Sequence, residues 1–208
     1  MFRSLVGSKI GMTQIFDTEK KIVVPVTAVK IGHLYVTQIK TLEKDGYAAV
    51  QIGSLKDRYV MNKPSKEWFL QKRKYFSFLK EVSVSNLESD ALAVGQLISV
   101  GDFGIKTGDT LKVSGTGKGL GFQGCMRRHG FGGGPKSHGS TFHRAPGGIG
   151  SIRMKGEVFK GKRLPGRMGG ASTSVKSVVQ QIDVDNGCVF LKGSLPGKKG
   201  FLLELYAR

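Results

Sequence analysis

VVQQIDVDNGCVFL, Val178–Leu191, is the stretch whose reading decides the fold. Two runs rich in β-branched and aromatic residues flank Asn186-Gly187. Asn and Gly both accept positive φ, so the pair suits the type I′ turn of a two-residue hairpin loop. The sequence predicts a strand over 178–185, a turn, and a returning strand over 188–191. Phe201 to Tyr206 reads as a last strand.

Outward from this hairpin, the first 55 residues carry the same signature. Thr13 to Phe16 and Ile22 to Ile31 flank a polar turn at Asp17-Thr18-Glu19-Lys20. Gly32-His33 separates Ile31 from the alternating Leu34 to Ile39 and reads as a second tight hairpin turn. Asp45-Gly46 is a further turn signal before Tyr47 to Ile52. Three or four strands in meander order are expected. Residues 56–96 change character: Pro64 opens one short helix carrying Trp68, Phe69, Lys72, Tyr75 and Phe76, and a less regular segment follows. The aromatics read as a satellite core under a loop, with base stacking as the alternative. Strands return at Gln96 to Val100 and Thr110 to Val113. The expectation is a mainly β chain whose N- and C-terminal strands share one sheet or barrel, closure being a way to remove exposed edges.

Between these strands lies a tract of different chemistry. Lys112 to Gly170 holds 18 glycines in 59 residues and 12 Lys or Arg against one acid, Glu157. It accounts for +11 of the chain's net charge of +18, so the excess is concentrated there. Such a segment buries too little apolar surface to offset its own ordering entropy. In isolation it reads as flexible, with Phe122, Phe131, Phe142 and Phe159 available to a partner that orders it. A field this strong attracts polyanions.

Several other chemistries fit poorly. Gly119-Leu120-Gly121-Phe122-Gln123-Gly124 matches G-x-G-x-x-G, yet no acid follows about twenty positions on and no helix long enough for a βαβ crossover is visible. Gly117-Lys118-Gly119 lacks the spacing and hydroxyl of a P-loop. Cys125, His129, His138 and His143 fall close together, but a single cysteine amid Arg127, Arg128 and Arg144 is a poor zinc set. No nucleophile elbow or paired carboxylates stand out, so no catalytic residue, metal or cofactor is expected. Cys125 and Cys188 alone make no disulfide framework, which suggests a reducing compartment. The start is broken by Lys9 before an apolar run of export length forms, and apolar runs such as Ile22 to Val26 are far too short to span a bilayer.

A nucleic acid explains more of these features together. Arg127-Arg128, Arg153-x-Lys155, Lys160-x-Lys162-Arg163 and Arg167 supply phosphate contacts, and glycines let the backbone N–H groups approach phosphate oxygens. His and Phe side chains can stack on exposed bases. Irregular folded RNA is favoured over duplex DNA because no recognition helix, zinc finger or basic zipper is visible. A nucleotide-dependent enzyme using Gly119 to Gly124 and a general nucleic acid chaperone are the alternatives.

The residues also carry a resemblance. LVGSKIGMTQIF (5–16), VSGTGKGLGFQGCMRRHGF (113–131), HRAPGGIG (143–150) and VFKGKRLPGRMG (158–169) resemble the bacterial-type family of large-subunit ribosomal protein three, and the likeness runs from the first residues to the last strands. The resemblance implies a translation-protein-type β-barrel with a small α-containing insertion and a long glycine-rich basic extension that reaches towards the peptidyl transferase centre. It implies binding to large-subunit rRNA, a part in early subunit assembly, neighbouring ribosomal proteins as partners, and a place in a cytoplasmic or organellar ribosome. It implies no membrane and no small-molecule substrate. Expected rRNA contacts are Lys112, Lys118, Arg127, Arg128, His129, Lys136, His138, His143, Arg144, Arg153, Lys155, Lys160, Lys162, Arg163 and Arg167, with Gly147 to Gly150 near the inner end. The expected organisation is barrel strands over 1–55, an insertion over 56–96, barrel strands over 97–113, the rRNA-binding loop over 114–170 and closing strands over 171–208. The chain departs from the family's usual residues at Gly117 and Leu120, and Ser151 stands where some bacterial members carry a methylated glutamine.

Overall fold

The structure, a computed structural model, describes residues 4–17, 20–59, 65–83, 92–150 and 156–206. Its elements in chain order are β1 (Ser4–Asp17), β2 (Ile22–Lys30), β3 (Leu34–Lys40), α1 (Leu42–Asp45), β4 (Ala49–Leu55), α2 (Lys66–Leu70), α3 (Lys72–Tyr75), β5 (Phe76–Val82), β6 (Leu97–Ile98), β7 (Thr110–Thr116), β8 (Gly121–Gln123), α4 (Cys125–His129), β9 (Gly166–Met168), β10 (Ser172–Asp183), β11 (Cys188–Lys192) and β12 (Leu202–Tyr206). They fall into two compact units, residues 1–116 with 172–208, and residues 117–171.

The first unit is built on a closed six-stranded barrel in the order β1-β12-β7-β10-β11-β2. All six pairings are antiparallel, and the first and last strands of the chain lie side by side, Leu5 opposite Leu205. Alternation drives this closure. In β7, Leu111 and Val113 point inward while Thr110 and Lys112 face solvent; in β12, Leu203 and Leu205 do the same. Register breaks between Lys9 and Gly11 and between Val179 and Gln181 add the local twist that a small barrel requires. The 178–191 hairpin forms, but its turn is not type I′. Asp183 pairs with Cys188, Gly187 N–H donates to the Val184 carbonyl at 3.2 Å, and of the turn residues only Gly187 has positive φ, 61°. The Asp183 carboxylate accepts from the backbone N–H and side-chain amide of Asn186, which keeps Asn186 out of the left-handed region the shorter loop demands.

A second sheet, β5-β4-β3-β6, shares the barrel's core: Leu34, Val36, Val50, Ile52 and Val82 pack in one buried cluster with Leu5, Val29, Leu111 and Leu205. This corrects the meander. Gly32-His33 is not a hairpin turn, because β2 has both edges occupied by β1 and β11, and β3 pairs instead with β4 and β6. Neither Gly32 nor His33 has the positive φ such a turn needs. The chain crosses there from one sheet to the other. At Asp45-Gly46 the turn signal is real, but it ends the single helical turn α1, with Gly46 left-handed (φ 78°).

The single short helix expected after Pro64 is two single turns, broken at Gln71 (φ −101°, ψ 51°), and Pro64 lies outside the described residues. Phe76 then leaves helical geometry and opens β5, a strand missed in the segment read as irregular. The aromatics do form a satellite core. Trp68 stacks on Tyr75 with ring centres 5.5 Å apart, and Leu55 and Phe76 complete the buried cluster.

Candidate nucleic-acid interface

The second unit, residues 117–171, is entered from β7 and left into β10. Its base is closed by backbone bonds: Gly117 N–H to the Ala171 carbonyl at 2.9 Å and Leu120 N–H to the Met168 carbonyl at 2.9 Å. Strands β8 and β9 pair antiparallel, with Phe122 directly opposite Arg167. Glycine is required where backbones touch. A Cβ on Gly169, whose φ is +76°, would lie 2.1 Å from the Lys118 carbonyl oxygen, and one on Gly134 would lie 2.0 Å from that of Phe142.

The single helical turn α4 follows β8 and stops at left-handed Gly130, whose N–H reaches the Met126 carbonyl. One face of α4 is fastened to the returning chain. Arg128 Nη1 donates to the Leu164 carbonyl at 2.7 Å, His129 Nε2 lies 3.0 Å from the same oxygen, and the buried Cys125 thiol faces the Arg163 carbonyl at 3.9 Å. Arg127, on the other face, is exposed. The glycine run after Phe131 is fixed by Gly134 N–H donating to the His143 carbonyl and by His143 Nδ1, 3.1 Å from the Pro135 carbonyl.

The expected contact residues therefore divide by environment. Lys118, Arg127, Lys136, His138, Arg144, Lys160, Lys162, Arg163 and Arg167 are exposed in this unit. Among the described residues none of their side chains has a hydrogen-bond or ion-pair partner; the ion pairs there, Lys20–Asp17, Lys40–Glu81 and Lys80–Glu204, all belong to the first unit. Arg128, His129 and His143 are already engaged by carbonyls inside the unit. Lys112 lies in the barrel, on the exposed face of β7 and directly opposite Lys176 of β10. Lys176 was not singled out from the sequence, because a lone lysine in a strand reads as a solvated face until cross-strand register sets it against another. Arg153 and Lys155 lie outside the described residues.

Large apolar side chains accompany the charges. Phe122 is 73% exposed and Phe159 59%, so packing within the described residues leaves most of each ring uncovered. Leu120, Ile149 and Val158 are exposed as well and were not anticipated, since single aliphatic residues in a glycine-rich run carry no periodic signal.

Gly119 to Gly124 does not make a dinucleotide site. Gly121 to Gln123 is a strand in a two-stranded antiparallel sheet, the helix after it has five residues, and β7 before it has antiparallel neighbours on both sides. The βαβ unit that would place a pyrophosphate on a helix N-terminus is not formed there. Among the described residues no three His, Cys, Asp or Glu side chains gather as a metal site, and no helix is long and apolar enough to cross a membrane.

No protein-family model matches the chain. Curated proteins do. The chain is 43% identical over 207 residues to the large ribosomal subunit protein uL3c of Gracilaria tenuistipitata var. liui, covering 97% of this chain and 98% of that protein. It is 41% identical over 215 residues to the large ribosomal subunit protein uL3 of Staphylococcus epidermidis strain ATCC 35984, covering 99% and 96%. The same protein of strain ATCC 12228 is 40% identical over the same length.

Proposed function

The chain belongs to the uL3 family of large ribosomal subunit proteins, and from that premise we propose that residues 117–171 bind large-subunit rRNA while the barrel unit holds them in the assembly. It is a structural ribosomal protein, not an enzyme. The observation that carries the proposal is the exposed cationic surface of the second unit. Nine exposed basic or imidazole side chains there have no protein partner among the described residues, and the unit's one acid is Glu157. Like charges crowded without counterions repel one another, and rRNA phosphates remove that cost while releasing the counterions of the RNA.

In this reading Lys118, Lys136, Arg144, Lys160, Lys162, Arg163 and Arg167 contact phosphates, with Arg127 beside them. Exposed Phe122 and Phe159 stack on unpaired bases or fill gaps between RNA helices. Arg128, His129 and His143 act first by fixing the backbone that presents those groups. Arg153 and Lys155 join the set on their sequence alone. The segment around Gly147 to Gly150 approaches the peptidyl transferase centre, as the family resemblance implies, and peptide-bond chemistry belongs to the RNA. The chain promotes early subunit assembly beside other ribosomal proteins, in a cytoplasmic or organellar ribosome.

The test is binding to a large-subunit rRNA fragment against a random RNA of equal length. With six to ten phosphates engaged, affinity falls by roughly 10³ to 10⁵ between 50 and 200 mM salt, and the cognate fragment is preferred throughout. A flat salt response, or equal binding to both RNAs, sinks the proposal.

A further inference from the structure

Where the barrel meets the second sheet, the first unit holds an open cleft of about 590 Å³ with no acidic residue in its lining. Its rim is made by the crossing from β2 to β3. Lys30 ends β2, fixed between Ser8 of β1 and Cys188 of β11. Its ammonium is exposed and has no hydrogen-bond or ion-pair partner among the described residues. His33 beside it is exposed and equally unengaged through its ring. The backbone N–H groups of Gly32 and His33 meet no acceptor among the described residues either, because the chain is leaving one sheet and has not yet entered the other.

Gly32 also keeps the opposite wall open: a Cβ there would press to 3.2 Å from the Ser54 hydroxyl. Lys56 adds a second lysine ammonium, with its own N–H groups committed to the carbonyls of Arg73 and Lys74 at 3.0 and 2.6 Å. An adjoining hollow of about 380 Å³ shares Lys30, Gly32 and His33, and Asp185 lines its far side. Lys30, Gly32, His33 and Ser54 thus line one cleft, and among the described residues the Lys30 ammonium, the His33 ring, the Ser54 hydroxyl and the backbone N–H groups of Gly32 and His33 have no hydrogen-bond acceptor. A phosphate oxygen is the acceptor that satisfies such a set.

We propose that this cleft binds a backbone phosphate of RNA and gives the barrel unit an anchoring point of its own, apart from residues 117–171. The inference rests on RNA being the partner, but not on the second unit being the part that binds it. Lys30 and His33 lie on the surface, outside the buried core, so replacing them leaves folding intact.

The experiment follows backbone amide resonances of the full chain during titration with hexauridylate, inorganic phosphate and a hexaglutamate peptide. Hexauridylate is expected to shift Gly32, His33 and Ser54 saturably. A Lys30→Gln/His33→Ala chain should weaken that response at least tenfold and keep the shifts within 117–171. An Arg127→Ala/Arg163→Ala/Arg167→Ala chain should show the reverse. Cleft shifts without any in 117–171 would uphold this site and sink the function proposed for the second unit. Three results overturn the cleft: no shift at Gly32, His33 and Ser54 with hexauridylate, an unchanged response in the double variant, or saturation by phosphate or hexaglutamate alone.

Discussion

Arg128 and the Leu164 carbonyl are joined by a 2.7 Å hydrogen bond across 36 residues of chain, with Gly166 held so close to the guanidinium that a Cβ there would lie 2.5 Å from Nη1. The neighbouring Arg127 has no such partner and is exposed. Two adjacent arginines that look alike in the sequence thus have different work. Arg128→Ala should loosen the β8–β9 end of the second unit by about 1.5–3 kcal/mol, the usual worth of a hydrogen bond to a charged group. Faster hydrogen exchange at the Gly121–Gln123 and Gly166–Met168 amides is the readout. Arg127→Ala should leave exchange unchanged and lower the salt dependence of RNA binding by about one phosphate contact. Equal exchange in both variants would contradict the assignment.

Gly169 stands at the base of the same unit, left-handed and against the Lys118 carbonyl. Gly169→Ala places a Cβ where backbone already is, and the positive φ adds strain of its own. Faster proteolysis between 117 and 171 is expected, with the thermal unfolding of the barrel unit unchanged. A matching fall in the barrel transition would show that the two units unfold together.

Thr116 and Ser172 are cross-strand partners at the ends of β7 and β10. Residues 117–171 can therefore be replaced by Asn-Gly, a two-residue loop suited to closing such a hairpin. The shortened chain should keep its β circular dichroism and the fluorescence of Trp68, which is buried in the aromatic cluster of the first unit. It should lose most of its affinity for the rRNA fragment. Loss of the β signal would mean that the barrel depends on the excised residues.

Glu204 of β12 accepts from Lys80 of β5 at 2.6 Å and from the Tyr206 hydroxyl. Its carboxylate, with partial burial as the lesser cause, pushes the Tyr206 phenol up to about 12. The folded value lies above the unfolded one, near 10. The stabilisation is therefore complete below about pH 10 and disappears as pH rises towards about 12. Ultraviolet titration of tyrosinate should show a late-titrating component that Tyr206→Phe or Glu204→Gln removes. If the late group persists in Tyr206→Phe, the assignment is wrong.

Leu205 is buried in the barrel, opposite Leu5 and beside Val113. Leu205→Ala should cost about 2–5 kcal/mol through lost transfer energy and a residual cavity, measured by urea denaturation. A much smaller loss would show that the barrel collapses around the gap.

Much of this architecture is legible residue by residue. Alternation in 110–113 and 202–206 follows from local chemistry, and a turn at Asn186-Gly187 is legible in the same way, although Asp183 changes its type. The charge and glycine content of Lys112 to Gly170 likewise favour a polyanion partner on the sequence alone, because net charge is a sum and needs no geometry. Tertiary structure alone decided which strands pair. Gly32-His33 has a hairpin's composition, yet the edges of β2 were taken by β1 and by the distant β11, and pairing is a contest between long-range partners that no local window contains. The same contest sorted the basic residues. Arg128 was drawn to a carbonyl 36 positions away while Arg127 was left to solvent, because side-chain environment is fixed by what the rest of the chain brings alongside, not by the residue's own chemistry.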